Sequence, residues 1–373
     1  MNTAQALALL GGMSPNQFMK RHWQKKPLLV RQAMPGFVPC VGRSDLMALA
    51  GQEGVESRLI VDSPKGWQMK HGPFSKRGLP PLSQKKWTFL VQGVDLHHDG
   101  VHALMQQFRF VPDARLDDVM ISYATDGGGV GPHFDSYDVF LLQAHGQRRW
   151  RTGRQKDLSL QPNVPLKILQ NFEAEEEFVL NPGDMLYLPP KYAHDGVAVG
   201  ECMTWSIGFR APSQSELARE LLLGLADEAF ERAGDALYRD PKQAAVSASA
   251  AIPPSLVGFA RQVIDRALDS PLLLESLLGA YLTEPKAQVW FEASDAEADL
   301  SKGVQLDRRT KMLYDEKHIF INGESFRVAG RDAVSLRLLA DDRSISAQKI
   351  KSLSPDAQDA LRDWASEGWL RAA

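Results

Sequence analysis

Cysteine is scarce in this sequence: Cys40 and Cys202 are the only two among 373 residues. Two cysteines cannot build a disulfide framework or a cysteine-rich zinc site, and such low usage is typical of a reducing compartment. The Ala-Leu-rich start, residues 4–10, has no Lys or Arg before it, which argues against a secretory signal. We therefore expect a cytoplasmic protein.

The sequence also lacks an excess of either charge sign and any long apolar run. Lys and Arg number 43 against 46 Asp and Glu, so no global basic excess exists to drive non-specific nucleic-acid binding. The longest strongly apolar stretch, Pro271 to Leu282, is too short to span a bilayer and contains Glu275. With 44% hydrophobic and 24% charged residues, the composition is that of a globular protein, not of a disordered or fibrous one.

The first half of the chain alternates short apolar segments with turns rich in Gly and Pro. Many short strands separated by such turns predict an antiparallel sandwich or barrel. The predicted strands lie at 119–123, 139–143, 149–151, 185–188 and 204–209, with turns at 127–129, 144–146 and 181–184.

The pattern becomes helical after Pro212. Ser213 and Glu216 form a capping-box signature, Pro253-Pro254-Ser255 opens a second predicted helix, and a third runs from about Leu272 to Leu282. The third helix carries an apolar excess that favours burial against another element. These three helices predict a small bundle or a dimerisation module.

The last part of the chain predicts a winged-helix-like domain. Asn322-Gly323 is a strong two-residue hairpin turn signal, and helical segments follow at 332–339, 345–353 and 354–366. The expected domains are therefore 1–212, catalytic; 213–285, helical and dimerising; and 286–373, winged-helix-like.

Two His-x-Asp pairs occur, and their surroundings distinguish them. His133 and Asp135 follow a Gly-rich segment at the mouth of a strand, where residues two apart point to the same side. His194 follows a turn, a four-residue apolar strand and a Pro-Pro loop. Two imidazoles and one carboxylate match the facial triad of non-haem Fe(II) oxygenases. His97 and Asp99 lie in a polar stretch, which we expect to be a solvated loop.

Arg148 is the candidate anchor for a carboxylate ligand. It lies thirteen residues after Asp135, and a guanidinium can bind a carboxylate through two parallel hydrogen bonds. Strand alternation places Arg148 and Trp150 on one face and Arg149 and Arg151 on the other. We expect the Arg148 face to point toward the metal site.

Three sequence motifs occur in order around the candidate ligands. The first is Gly-Pro-His-Phe-Asp-Ser-Tyr-Asp-Val-Phe-Leu-Leu-Gln at 131–143, and the second is Gly-Gln-Arg-Arg-Trp at 146–150. The third consists of Pro-Gly-Asp at 182–184, Pro-Pro at 189–190 and His194. These motifs resemble JmjC, or cupin-type, 2-oxoglutarate oxygenases. Three further segments, at residues 21–28, 71–74 and 208–212, extend the likeness. Together these motifs resemble those of the bacterial ribosomal oxygenases, which hydroxylate an arginine of large-subunit ribosomal protein sixteen. The resemblance is close over the first 212 residues. Beyond them, the family's helical dimerisation module and winged helix match by architecture.

The resemblance implies a double-stranded β-helix that uses Fe(II), 2-oxoglutarate and O2, with no catalytic residue beyond the metal ligands. It makes Arg148 the residue that holds the distal carboxylate of 2-oxoglutarate, with the hydroxyl of Ser122 in support. Cupin-type loops commonly have Gly three residues before the last histidine, where this chain has Lys191. If that position needs a positive φ, Lys191 is strained. The implied iron ligands are His133, Asp135 and His194.

The substrate side is predicted from the strand that contains Ser122. Asp118 and Met120 share its face, so the Asp118 carboxylate can pair with a guanidinium while Met120 and Tyr137 pack on the aliphatic stem. From the residues alone, Asp118 could equally be a surface carboxylate beside Asp117. The resemblance adds Ser206 to this pocket.

Two alternatives stay open at this point. A Jumonji-type demethylase needs the same metal chemistry on an N-methyl group, and a cupin with a winged helix can be a ligand sensor without catalysis. A sensor does not need Arg148 beside an intact triad. A DNA-reading winged helix needs a basic helix, whereas 354–366 contains three aspartates and one arginine, so we expect no direct DNA binding. We expect a homodimer formed through residues 213–284 that acts on a ribosomal protein.

Overall fold

The computed structural model describes residues 2–269, 273–294 and 299–372. The chain forms two compact units, Met1–Ala211 with Ala287–Val289, and Pro212–Lys286 with Trp290–Ala373. The expected division at residues 212 and 285 remains a prediction. Within the described ranges, no helix has both the length and the apolar character that crossing a membrane requires.

The first unit is built on one large, mainly antiparallel sheet, with three helices beside it. Two long strands, β6 and β9, form its centre, and the order is β1-β8-β6-β9-β5-β4-β2-β3, with β7 also paired to β6. The helices are α1 (Pro15–Arg21), α2 (Arg43–Leu49) and α3 (Asp99–Gln106). The strands are β1 (Leu28–Val30), β2 (Ser57–Ser63), β3 (Gly66–His71), β4 (Trp87–Val91), β5 (Leu116–Ala124), β6 (Val139–Gly153), β7 (Glu176–Leu180), β8 (Met185–Leu188) and β9 (Ala193–Phe209).

The predicted turn at 144–146 is wrong. The chain there continues as one fifteen-residue strand, β6, whose register against β9 shifts between Gln143 and Gln147. Gly146 has φ +62°, and a Cβ added to it would lie 2.0 Å from the carbonyl oxygen of Glu201. The glycine is therefore required by a close approach within a bulge, not by a chain reversal. The bulge therefore shifts the register between β6 and β9 from one half of β6 to the other.

Strand alternation separates a packed face of the sheet from a polar one. Val119 and Ile121 of β5 join the main core with Trp205 of β9, together with side chains from all three helices. Met120 and Ser122 alternate with them and so point to the other side of the sheet. Burying the first set on the core fixes the second set on the inside of the barrel.

The second unit begins with helices α4 (Gln214–Ala233), α5 (Pro254–Leu268) and α6 (Leu273–Thr283). The predicted capping box at Ser213 and Glu216 is present. The expected start of the third helix, Leu272, lies outside the described residues. A Cβ on Gly279 of α6 would lie 2.4 Å from the ring of Phe320, and the Thr283 hydroxyl accepts a hydrogen bond from the Gly323 N–H at 3.1 Å. The apolar third helix is thus buried against the hairpin near the end of the chain.

The hairpin turns at Asn322 and Gly323, whose φ values of +47° and +94° fit the mirror-image turn that this pair favours. The helix predicted at 345–353 is shorter in the structure, where it spans Ala347–Ile350. Residues 344–345 instead pair as a strand with residues 304–305. The strands are β10 (Val304–Leu306), β11 (Met312–Tyr314), β12 (His318–Ile321), β13 (Glu324–Arg327), β14 (Ser344–Ile345) and β15 (Leu370–Ala372), and the helices are α7 (Gly330–Asp342), α8 (Ala347–Ile350) and α9 (Pro355–Ser366).

Candidate active site

Three side chains that carry metal-ligand atoms meet inside the barrel. His133 lies in the loop before β6 and His194 at the start of β9, and their backbones exchange two hydrogen bonds of 2.9 and 2.8 Å. The candidate ligand atoms of His133, Asp135 and His194 all lie within 4.8 Å of one another. This is the separation of groups that can hold one ion. In the described part of the chain it is the only group of three or more such residues, so His97 and Asp99 belong to no such cluster.

The two imidazoles are oriented by their own backbone. Nδ1 of His133 donates to the carbonyl of Gly131 at 2.9 Å, and Nδ1 of His194 donates to the carbonyl of Tyr192 at 3.0 Å. Nε2 of each ring is therefore the atom without the proton, and it is the ligand atom. Burial lowers the pKa of His194, and the neighbouring His133 lowers it further, so the ring is kept in its neutral form.

The loop before His194 is tied to Asp135. The N–H of Lys191 donates to the Asp135 carbonyl at 2.7 Å, and Lys191 has φ +62°. The conformation that glycine would adopt without strain is thus present here with a lysine, at a cost of about 1–2 kcal/mol. This hydrogen bond holds the loop against the strand mouth that carries two of the candidate ligands.

Arg148 is buried with two guanidinium nitrogens unpaired. Its side chain is only 6% exposed, and its Nε and Nη2 have no hydrogen-bond partner among the described residues. Arg149 is exposed, as strand alternation predicts. A buried guanidinium without a partner is costly, whereas a carboxylate ligand satisfies both nitrogens at once. The donor set therefore fits an acid such as 2-oxoglutarate beside a metal.

A polar ladder that the sequence analysis missed crosses the sheet at Ser122. Its hydroxyl donates to the Thr204 carbonyl at 3.3 Å, and the Thr204 hydroxyl donates to Gln143 Oε1 at 3.1 Å. Thr152 was missed too: it is the cross-strand partner of His194, and its buried hydroxyl has no partner in the described structure. Counting by two from Arg148 reaches Thr152, so strand alternation could have found it.

The expected substrate residues lie on β5, on β9 and in the loop before β6. Asp118 is 4% exposed and accepts a hydrogen bond from the Gly93 N–H at 2.9 Å, so its alternative as a surface carboxylate is wrong. Met120 and Ser206 are cross-strand partners. Tyr137 is 39% exposed, and its pKa is raised first by burial of the hydroxyl and then by the carboxylates of Asp135 and Asp118. The charges of both aspartates therefore act on the Tyr137 hydroxyl.

Comparison with known proteins identifies the family. A model described as the JmjC domain matches residues 103–217, and a model described as a ROXA-like winged helix matches residues 265–371. The ribosomal protein uL16 3-hydroxylase of Escherichia coli (strain K12) is 36% identical over 357 residues, which are 93% of this chain and 92% of that protein. The chain belongs to the ribosomal oxygenase family of JmjC proteins.

Solved structures of a ribosomal oxygenase agree with the assigned fold. The X-ray structure of E. coli ycfD matches with a TM-score of 0.81 at 30% identity, covering 95% of this chain and 97% of that one. A structure of the E. coli ribosomal oxygenase YcfD in complex with cobalt and 2-oxoglutarate matches with a TM-score of 0.78, at the same identity and coverage. The expected fold class is confirmed. The metal ion and 2-oxoglutarate bound in that relative are of the cofactor class that the sequence analysis expects.

Proposed function

We propose that this protein hydroxylates an arginine side chain of a large-subunit ribosomal protein with Fe(II), 2-oxoglutarate and O2. The observation that carries the proposal is the buried guanidinium of Arg148, unpaired at Nε and Nη2, in the same barrel as the three ligand residues. The ribosomal protein is uL16, the substrate named for the E. coli relative. The protein then acts in the cytoplasm.

Each residue has a defined task in this proposal. His133, Asp135 and His194 hold the iron and leave three coordination positions for ligands. Arg148 binds the distal carboxylate of 2-oxoglutarate, and Ser122 supports it. When bound, the metal and its co-substrate supply the transfer of one oxygen atom of O2 to a C–H bond, with succinate and CO2 as the other products.

Arginine selectivity is assigned to Asp118. Its carboxylate accepts a hydrogen bond from the Gly93 N–H at 2.9 Å, which holds it in one orientation. A planar guanidinium matches a carboxylate with two parallel hydrogen bonds, which a lysine ammonium cannot form. Met120 and Tyr137 pack on the methylene groups and Ser206 neighbours Met120, so that one C–H bond is held in place.

The test is an assay with purified protein, Fe(II), 2-oxoglutarate and recombinant uL16. We expect uL16 to gain the mass of one oxygen atom on a single arginine, mapped by fragmentation, and an Arg→Lys variant of that residue to gain none. Equal turnover of the lysine variant would contradict the Asp118 assignment. Loss of a methyl group from a methylated substrate as the main reaction would replace the proposal with a demethylase.

We also propose that the working unit is a homodimer joined through the helical segment. Apolar side chains remain exposed on α4 and α5, and exposed patches of this kind mark interfaces. We expect the full chain to sediment as a dimer at micromolar concentration; a monomer would refute this. The exposed residues are Leu222, Leu223, Leu256, Val257, Ile264 and Leu268.

A further inference from the structure

A groove opens between strands β1 and β7, on the flank of the barrel. Among the described strands, β1 pairs only with β8 and β7 only with β6, so each has one open edge. The groove has a volume of about 530 Å³. It is lined by Pro27, Leu28, Leu29, Glu176, Glu177, Phe178 and Leu186.

The apolar floor of this groove continues into the wall of the metal centre. Leu29 and Leu186 are cross-strand partners, as are Phe178 and Trp150, and all four belong to one apolar cluster. The ring of Trp150 lies 5.8 Å from the ring of His194, centroid to centroid. A chain lying in the groove is therefore separated from a candidate metal ligand by Trp150.

Two glutamates lie at the rim of the groove. Glu176 and Glu177 are exposed, and their side chains form no hydrogen bond or ion pair within the part of the chain that the structure describes. Two nearby guanidinium groups are engaged elsewhere: Arg31 and Arg151 are each paired with an aspartate, at 2.7 and 2.6 Å. The groove thus combines an apolar floor with an acidic rim whose two carboxylates form no ion pair.

We propose that this groove docks a basic, extended segment of the same ribosomal protein whose arginine is oxidised, which rests on the function proposed above. A protein that binds ribosomal RNA carries Lys and Arg to neutralise phosphates, so its charge complements the rim. The long stems of these side chains pack on Leu29 and Phe178, while their charged ends reach Glu176 and Glu177. The docked segment adds affinity beyond that of the target arginine itself.

The experiment compares full-length uL16 with a heptapeptide of uL16 centred on the oxidised arginine, which is too short to fill the groove and the active site together. In the variant Glu176→Lys/Glu177→Lys we expect the KM for full-length uL16 to rise about tenfold, as reversal of rim charges predicts. The KM and kcat for the heptapeptide should stay at wild-type values. A matched variant, Glu53→Lys/Glu367→Lys, changes the same charge at two exposed positions outside the groove and should behave as wild type with both substrates.

An unchanged KM for full-length uL16 in the Glu176→Lys/Glu177→Lys variant would overturn the groove and leave the proposed function standing. If the wild-type protein oxidises neither substrate, the proposed function fails instead. A benzophenone amino acid at position 176 supplies a second measurement, with cross-links expected to a Lys- or Arg-rich segment of uL16. Cross-links only to a second copy of the enzyme would also overturn the proposal.

Discussion

The two halves of β6 treat their buried polar groups differently. Before the bulge, Gln143 is fully engaged: its oxygen accepts from Thr204 and its nitrogen donates to the His145 carbonyl at 2.9 Å. After the bulge, Arg148, Trp150 and Thr152 all have buried donor atoms without partners among the described residues. Satisfied polar groups stabilise a fold, whereas buried donors without a partner are costly unless another group, such as a ligand, pairs with them. The contrast assigns a structural role to the first half of the strand and a binding role to the second.

The largest expected effect is the loss of one metal ligand. Asp135→Ala leaves two imidazoles as the only protein anchors, so we expect turnover of 2-oxoglutarate to be abolished and binding of Co(II), followed by its visible spectrum, to fall at least about tenfold. His97→Ala, outside the cluster, should behave as wild type. Full activity of Asp135→Ala would contradict the assignment of Asp135 as a metal ligand.

The next effect concerns Arg148. Truncating a buried, hydrogen-bonded charge costs about 2–5 kcal/mol, so Arg148→Ala should raise the KM for 2-oxoglutarate by about 30-fold or more. Arg149→Ala is the matched control on the exposed face and should have little effect. Arg148→Lys should keep part of the affinity, because an ammonium attracts a carboxylate but cannot form the paired hydrogen bonds. A stronger effect at Arg149 would mean that the partner of the co-substrate is misassigned.

Substitution of Asp118 should affect substrate hydroxylation without affecting the turnover of 2-oxoglutarate alone. Asp118→Ala should cut arginine hydroxylation by about 10- to 100-fold, while the slower decarboxylation of 2-oxoglutarate without substrate survives, because the triad and Arg148 are intact. Succinate release and uL16 mass, measured in the same reaction, check this. Parallel loss of both activities would show that Asp118 supports the fold and not the substrate.

The smallest effect tests the comparison itself. Thr204→Val leaves Gln143 Oε1 buried without its donor and should lower the free energy of unfolding by about 1–3 kcal/mol. Thr152→Val removes a hydroxyl that has no partner and should leave that free energy unchanged or slightly higher. Urea unfolding of the metal-free proteins measures both. Equal destabilisation by the two substitutions would remove the distinction between the halves of β6.

Local patterns predicted the cluster of candidate metal ligands and the burial of Arg148. His133 and Asp135 are two residues apart at a strand mouth, and counting by two from Arg148 correctly predicted which arginine is buried. The long β6 was not predicted, because Gly146 reads as a turn until the Glu201 carbonyl is placed against it.

The rest of the site depends on register between distant strands, which no local pattern contains. The contact from Ser122 through Thr204 to Gln143 joins β5, β9 and β6. The groove between β1 and β7 is likewise lined by residues that are distant in sequence: Leu29 and Phe178 are about 150 residues apart. Strand register, not residue type, brings these groups together.

The central claim is most directly tested by the intact mass of uL16 from cells that lack this gene, compared with cells complemented by the wild-type gene or by Asp135→Ala. We predict that uL16 is lighter by one oxygen atom in the deletion strain, that the wild-type gene restores the mass, and that Asp135→Ala does not. An unchanged mass of uL16 in the deletion strain, or restoration by Asp135→Ala, would contradict the account.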